Sequence, residues 1–361
     1  MKILSIETSC DETAVALLEI TGERENPKIK ILGNSLFSQV ALHEQYGGVY
    51  PMLAKREHEK NLPILLEKTL TEAGFPLPAK GGAGEGLSVD LIAVTAGPGL
   101  EPALWAGITF AEELGKKWGK PVVPVDHMEG HIWSVMYGGN SKLDLPALAL
   151  LVSGGHTELV LIKGFGQYEI LGHTVDDAVG EAFDKVARML GLTYPGGPKI
   201  SILAQKSRES GRELNFKLPR PMIHSDNLNF SYSGLKTAVL YKIKAEGRSD
   251  DEFKEDVARE FENAAIEVLI SKTRKALLDE AGEAKTLIVA GGVAANAHLN
   301  AEVHKLIQEF PDLTLKLPER SLATDNAVMI GIAGFIRVQN DLDILNTQSE
   351  IRARGNLTLG S

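Results

Sequence analysis

The chain has 361 residues, 43% of them hydrophobic and 24% charged, a balance expected of a soluble globular protein long enough for two domains. No apolar run approaches the roughly 18 residues a membrane span requires, and the single cysteine, Cys10, excludes an internal disulfide and cannot build a thiolate metal site alone. A net charge of −10 argues against a protein that coats nucleic acid non-specifically, so any RNA partner must meet local basic patches or be shared with another subunit.

The first residues enter KILSIETSCDETAVALLE (2–19), an apolar segment, a hydroxyl- and acid-rich turn and a second apolar segment, which predicts a β-hairpin. No basic, apolar and small-residue cleavage pattern precedes it, and a cytoplasmic chain is expected. Cys10 reads as a small turn residue rather than a reactive thiol. Lys55, Arg56 and Lys60 form a basic cluster that a solvated helix face explains equally well. Residues 77–90, LPAKGGAGEGLSVD, read as a flexible loop. Residues 90–114 then give a buried strand, a Gly-Pro-Gly turn and an Ala- and Leu-rich helix. Such a turn is expected to point unpaired N–H groups outward, as an anion site does.

Next comes VDHMEGHIW (125–133), with His127 and His131 four residues apart. On a helix they lie about 40° apart and share a face. The zinc-protease motif H-E-x-x-H needs its glutamate directly after the first histidine. Here that position is Met128, and Glu129, one residue later, points away from both histidines. The protease reading fails on geometry. A polar surface pair and a metal site awaiting a carboxylate both survive, since iron and zinc each accept two histidines plus one carboxylate. Asp325 is a candidate third ligand because it opens the last predicted helix; an ordinary N-cap explains it equally well.

From residue 147 the plan repeats. ALALLVSGGHTELVLIK (147–163) is a second hairpin, with Ser153 to Thr157 as its turn, and TLIVAGGVAANAHLNAEVHKLI (286–307) is a second strand–turn–helix with Gly291-Gly292. Two matched pairs of glycine- and hydroxyl-rich turns predict a duplicated α/β fold, its two domains facing across a ligand cleft. Between the repeats, Asp177 to Leu190 reads as a helix with Phe183, Val186, Ala187 and Leu190 inward and Gly191 as its stop. Ser249 to Glu252 reads as a capping box for a helix to about Ala281, closed by Gly282. The tail from Asn346 is polar and expected to be loosely held. The expected domains are 1–145 with 325–345, 146–324, and the tail 346–361.

Eight segments carry a family resemblance: IETSCDETAVAL, TAGPG at 95–99, DHMEGH at 126–131, LVSGGHT at 151–157, GEAFDKVARMLGLTYPGGP at 180–198, FSYSGLKT at 230–237, AGGVAAN at 290–296 and ATDNAVMI at 323–330. In this order they resemble the TsaD family, the tRNA N6-adenosine threonylcarbamoyltransferases once called glycoproteases, in its bacterial form. The resemblance implies an α/β fold of two actin/Hsp70/sugar-kinase-like (ribonuclease-H-like, ASKHA) domains. It implies transfer of threonylcarbamoyl from threonylcarbamoyl-AMP to N6 of adenosine 37 in tRNAs reading ANN codons, with AMP released. The family's metal ligands fall on His127, His131 and Asp325, with iron(II) preferred to zinc. Its adenylate-binding positions fall on Leu151, Val152, Ser153, Gly154, Gly155, Asp184, Gly197 and Asn296. Leu151 stands where the archaeal and eukaryotic branch has a tyrosine near the metal, so three protein ligands are expected here.

The resemblance also implies tRNA, an inactive short paralogue (TsaB type) and a small ATPase (TsaE type) as partners, and no membrane. It names no general base; Glu12, in the first hairpin turn, is the first residue to test. The rival reading is an ATP-dependent switch or kinase of the same superfamily, which would use the glycine turns but not the histidines.

Overall fold

The structure is a computed structural model that describes residues 1–75, 89–138, 142–345 and 350–360. The chain divides into two compact units, one of Met1–Leu143, Phe165–Gln167 and Pro318–Ser361, the other of Asp144–Gly164 and Tyr168–Leu317.

In the first unit, β1 (Lys2–Glu7) pairs antiparallel with β2 (Glu12–Thr21), which continues into β3 (Lys28–Ser38). A short α1 (Val40–His43) and the long α2 (Pro51–Glu72) follow. Then β4 (Leu91–Gly97), α3 (Glu101–Trp118), β5 (Val122–Asp126) and α4 (His127–Ser134) complete the N-terminal part. The sheet order is β3-β2-β1-β4-β5, with β1, β4 and β5 parallel. As the central strand, β1 is covered on both faces, which is why KILSIE is apolar almost without alternation.

The second unit repeats this topology. β6 (Ala147–Val152) and β7 (Thr157–Gly164) form an antiparallel hairpin, β8 (Gln167–His173) lies beside β7, and the helices α5 (Val179–Met189), α6 (Gly196–Glu209), α7 (Ser233–Glu246) and α8 (Asp251–Asp279) follow. β9 (Thr286–Ala290), α9 (Ala297–Ile307) and β10 (Thr314–Lys316) complete it, in the order β10-β9-β6-β7-β8 with β6, β9 and β10 parallel. Strand for strand, this order matches the first sheet.

The chain then returns to the first unit as α10 (Ala327–Asn340), AVMIGIAGFIRVQN, whose apolar residues run all round the helix and are almost entirely buried. It lies very close to the first sheet. A Cβ at Gly331 would stand 2.4 Å from Leu18 Cδ1, and one at Gly334 would stand 2.8 Å from Ala93 Cβ.

Both hairpins and both strand–turn–helix units stand where the repeats place them, while several local readings are corrected. Helix α8 is capped by Asp250, whose carboxylate accepts from Phe253 N, so the Ser249 box is off by one residue. Helix α5 starts at Val179 because Asp177 is held outside it by Lys185 and Lys236. The tail is not loose over 350–360: Ile351 and Leu359 are buried, Arg354 N donates to Ala96 O, and Gly99 N donates to Gly355 O. Gly99 N and Leu100 N, the amides the Gly97-Pro98-Gly99 turn would offer, are spent on Gly355 O and Ser9 O, so the turn is no open anion site. Of the expected 77–90 loop, residues 77–88 lie outside the described residues, as do 346–349 of the tail. No helix among the described residues is long and apolar enough to cross a membrane.

Candidate metal centre and nucleotide site

Strand β5 ends in Asp126, whose carboxylate accepts from Met128 N at 2.7 Å and caps α4. His127 is thus the first residue of that helix and His131 lies one turn on. Between them Gly130 lets α4 press on α10, since a Cβ there would stand 3.0 Å from Ile330 Cδ1 and 3.1 Å from Met329 Cγ. Just before α10, Asn326 rather than Asp325 is the N-cap: its Oδ1 accepts from Met329 N at 2.9 Å. The capping explanation of Asp325 is removed, and its carboxylate is free to meet the histidines.

The structure brings His127, His131 and Asp325 together. Nε2 of each histidine lies 3.3 Å from Asp325 Oδ1, and the rings meet edge to face with centroids 4.7 Å apart. Ligand atoms bound at about 2.0–2.1 Å to one tetrahedral ion stand roughly 3.3 Å apart. That is the separation of each imidazole nitrogen from the carboxylate, and all three ligand atoms lie within 4.8 Å of one another, a spacing that suits a cation such as zinc or iron(II). A second observation supports the fit. His131 is buried, and neither ring nitrogen has a hydrogen-bond partner; Nε2 lies near Asp325 but misaligned for a bond. A buried, unpartnered imidazole aimed at a carboxylate is the donor set that a metal satisfies.

Glu7, which sequence reasoning missed, completes the cluster. At the end of β1 it is fully buried, and its Oε2 accepts from His127 Nδ1 at 3.1 Å and from Thr95 Oγ1 at 2.6 Å. This is the carboxylate–histidine pairing that fixes the tautomer and orientation of a metal-ligating imidazole. Burial opposes charge on both partners, yet Asp325 and Glu7 hold His127 well above the usual imidazole range, and His127 keeps Glu7 below the usual carboxylate range. The signal in the sequence was an acid closing an otherwise apolar strand. Cys10 follows the bland reading: burial, with Asp11, Asp325 and Glu12, raises its thiol well above the ordinary value and keeps it unreactive.

The eight positions expected to bind the adenylate lie in the second unit. Leu151 and Val152 are fully buried in β6, so their side chains serve the core. Ser153 closes the next turn, with Ser153 N donating to His156 O and His156 N to Ser153 Oγ. A Cβ at Gly154 or Gly155 would meet nothing within 4 Å, so packing does not require these glycines and a ligand can approach the backbone closely. Gly180 and Gly291 contrast with them, since a Cβ there would strike Ser153 O at 2.6 Å and Val152 O at 2.4 Å.

Asp184 lies on α5 and also anchors the element that follows. Its Oδ1 accepts from Gly196 N at 2.6 Å and fixes the start of α6, where Gly197 sits, while Lys185 pairs with Asp177 and Glu181. Asn296 caps α9 through Leu299 N at 2.9 Å and donates from Nδ2 to Ser201 Oγ at 2.8 Å and Glu262 Oε1 at 2.7 Å. Ser201 Oγ is also 3.2 Å from Gly197 O. Ser201 and the buried Glu262, both missed in the sequence, thereby join Gly197 to Asn296.

The sequence profile described as TsaD: tRNA N6-adenosine threonylcarbamoyltransferase matches residues 30–332. A protein of Aromatoleum aromaticum named tRNA N6-adenosine threonylcarbamoyltransferase is 46% identical over 338 residues, 93% of this chain and 91% of its own length. One of the same name from Thermosipho africanus is 45% identical over 335 residues, covering 93% and 94%. Among solved structures, HypF of T. kodakarensis superposes with a TM-score of 0.57 at 15% identity, over 96% of this chain and 49% of that longer one, a likeness of fold alone. With a profile match over most of its length and relatives at these identities, the chain belongs to the TsaD family.

Proposed function

We propose that this chain transfers the threonylcarbamoyl group from threonylcarbamoyl-AMP to N6 of adenosine 37 in tRNAs reading ANN codons. In the reaction the adenine N6 forms a bond to the carbamoyl carbon, the bond from that carbon to the phosphate oxygen breaks, N6 gives up a proton and AMP leaves with the electron pair. The observation that carries this reading is the His127–His131–Asp325 cluster backed by Glu7, in a chain whose relatives bear the transferase name. A kinase or switch of the same superfamily has no use for it.

His127, His131 and Asp325 would hold one divalent ion, iron(II) in preference to zinc, which when bound supplies Lewis-acid charge for an acyl or phosphoryl oxygen. Glu7 holds the His127 ring in place. Backbone groups of Ser153, Gly154 and Gly155, together with Asp184, Gly197 and Asn296, take the adenylate, and orientation lowers the barrier. With an overall charge of −10, RNA contact is shared with a TsaB-type paralogue and a TsaE-type ATPase in the cytoplasm. The test is mass analysis of tRNA nucleosides after incubating purified protein, threonylcarbamoyl-AMP, unmodified tRNA and the partner subunits. Modified adenosine should form, and should disappear when this chain is omitted; product without it overturns the reading.

Metal uptake should be proton-coupled. In the metal-free protein Asp325 and Glu7 hold a proton on His127, and a metal must displace it. Affinity is therefore expected to rise with pH until that raised value is passed, by roughly tenfold per pH unit for one displaced proton. Zinc titration against a competing chelator between pH 6 and 8 reads this; tighter binding at pH 6 would contradict it.

Glu12 does not suit the role of general base. Burial, with Asp11 and Asp325 nearby, pushes its carboxyl up to about 9, which favours the protonated form at neutral pH. Glu12→Gln is expected to keep single-turnover transfer within about threefold, whereas removal of a true base costs about 10²-fold or more. A loss of that size in rapid-quench assays would restore the base assignment.

A further inference from the structure

Two buried histidines of the first unit belong to no site described so far. His43 closes α1 and His58 lies on α2, and both are fully buried. His58 Nε2 is 3.0 Å from Cys10 O. A carbonyl only accepts, so this nitrogen carries the hydrogen, and in the neutral ring Nδ1 accepts. Nδ1 lies 2.8 Å from Thr13 Oγ1, whose hydroxyl therefore donates to it. Gln39 Nε2 reaches Thr13 Oγ1 at 3.4 Å, His58 Nδ1 at 3.3 Å and Ala54 O at 3.3 Å. Because the last of these is a carbonyl, the amide nitrogen cannot be exchanged with its oxygen. Gln39 Oε1 then accepts from His43 Nε2 at 3.1 Å, and His43 Nδ1 accepts from Tyr50 N at 3.3 Å.

With the two Gln39 amide hydrogens on Ala54 O and Thr13 Oγ1, the contacts run in one direction: Tyr50 N–H to His43, His43 to Gln39, Gln39 to Thr13, Thr13 to His58, and His58 to the Cys10 carbonyl. In this assignment both imidazoles are neutral with the hydrogen on Nε2. A second ring proton would set donor against donor at His43 against Tyr50 N–H and at His58 against the Gln39 amide, and would require the Thr13 hydroxyl to turn from donor to acceptor. Chains of aligned hydrogen bonds in a buried setting reinforce one another.

The chain ends in the turn between β1 and β2, which it helps to fix. Cys10 O is held by His58, Asp11 O accepts from Gln39 N at 2.9 Å, and Ser9 O accepts from Leu100 N at 2.8 Å. In the same turn Ser9 N donates to Glu7 Oε1, and the other oxygen of Glu7 holds His127. We infer that His43 and His58 are positioning residues for the transfer reaction: their shared hydrogen-bond polarity fixes the Ser9–Glu12 turn and, through Ser9 and Glu7, the His127 imidazole. Only the kinetic part of this inference rests on the transferase reading.

Long-range 1H–15N spectra of protein labelled with 15N-histidine at pH 7.5 test the chain directly. Two neutral rings protonated on Nε2, assigned through His43→Gln and His58→Gln, are expected; an Nδ1–H or doubly protonated ring at either position overturns it. In the assembled transferase, His58→Phe and the near-isosteric Thr13→Val should each lower kcat by about tenfold, as outer-shell partners of metal ligands do. KM for threonylcarbamoyl-AMP should stay close to wild type; the melting temperature should fall modestly, because each variant leaves a buried polar group unpaired, and His58→Gln should recover part of the kcat loss. Unchanged kcat in both Thr13→Val and His58→Phe, or losses that merely follow the melting temperature, would refute the positioning role. Wild-type protein without transfer activity would refute the functional reading alone, and the spectra would still uphold or overturn the chain.

Discussion

His131→Leu is expected to abolish stoichiometric metal binding and lower single-turnover transfer by about 10²-fold or more, since a bound ion supplies several kcal/mol of charge stabilisation. Adenylate binding should persist, because the residues assigned to the nucleotide lie in the other compact unit of the chain. The sharper expectation concerns stability. Neither His131 ring nitrogen has a well-aligned hydrogen-bond partner among the described residues, with Nε2 3.3 Å from Asp325 Oδ1, and a buried polar group left unpaired costs about 1–3 kcal/mol. Leucine removes that cost while filling much of the same space. Metal-free His131→Leu should therefore melt at or above the metal-free wild type, and only wild type should gain stability when iron or zinc is added. Scanning calorimetry with and without chelator reads both. A clear loss of metal-free stability in His131→Leu would mean that His131 serves the fold, and metal retained by the variant would end its assignment as a ligand.

Which parts of this centre were legible in the sequence follows from the range of each interaction. The His127–His131 spacing is local, fixed by one helical turn, so it could be read directly and separated from the protease pattern. The duplicated topology was legible because each repeat is a contiguous run whose hydrophobic pattern and glycines are set by its own strands and turns. Asp325 was not legible from spacing. It meets the histidines only because Asn326 takes over the cap and because Gly130, Gly331 and Gly334 let α10 sit close to α4 and the sheet. Glu7 and Thr95 were invisible for the same reason: they lie 88 residues apart and meet as neighbours on the parallel strands β1 and β4. The expected anion turn at Gly97–Gly99 failed because Gly355 O, in a tail read as loose, and Ser9 O, in the first hairpin turn, take up its amides. Non-local pairing decided each of these.

The second large effect is expected at Glu262, whose carboxylate is only 1% exposed on α8. It accepts from Arg208 NH1 at 2.6 Å, Ser201 Oγ at 2.8 Å and Asn296 Nδ2 at 2.7 Å. Glu262→Ala leaves the Arg208 guanidinium with Asn263 as its remaining polar side-chain partner and takes an acceptor from Asn296, so a loss of about 3 kcal/mol or more in urea unfolding is expected. Glu262→Gln keeps an oxygen for Ser201 and Asn296 but can set its amide group against Arg208, and should fall between alanine and wild type. Stability alone would not tie Glu262 to the nucleotide. The tie is that Asn296 and, through Ser201, Gly197 both depend on this carboxylate for their orientation. Glu262→Gln is therefore expected to raise KM for threonylcarbamoyl-AMP about tenfold, the cost of one misaligned charge-assisted hydrogen-bond set, with a smaller change in kcat. Glu260 supplies the control. It is buried on the same helix, accepts from Leu218 N and pairs with Arg220, but has no link to Asn296 or Ser201. Glu260→Gln should destabilise the unit without moving KM. Equal KM changes in the two variants would reduce Glu262 to a purely structural ion pair.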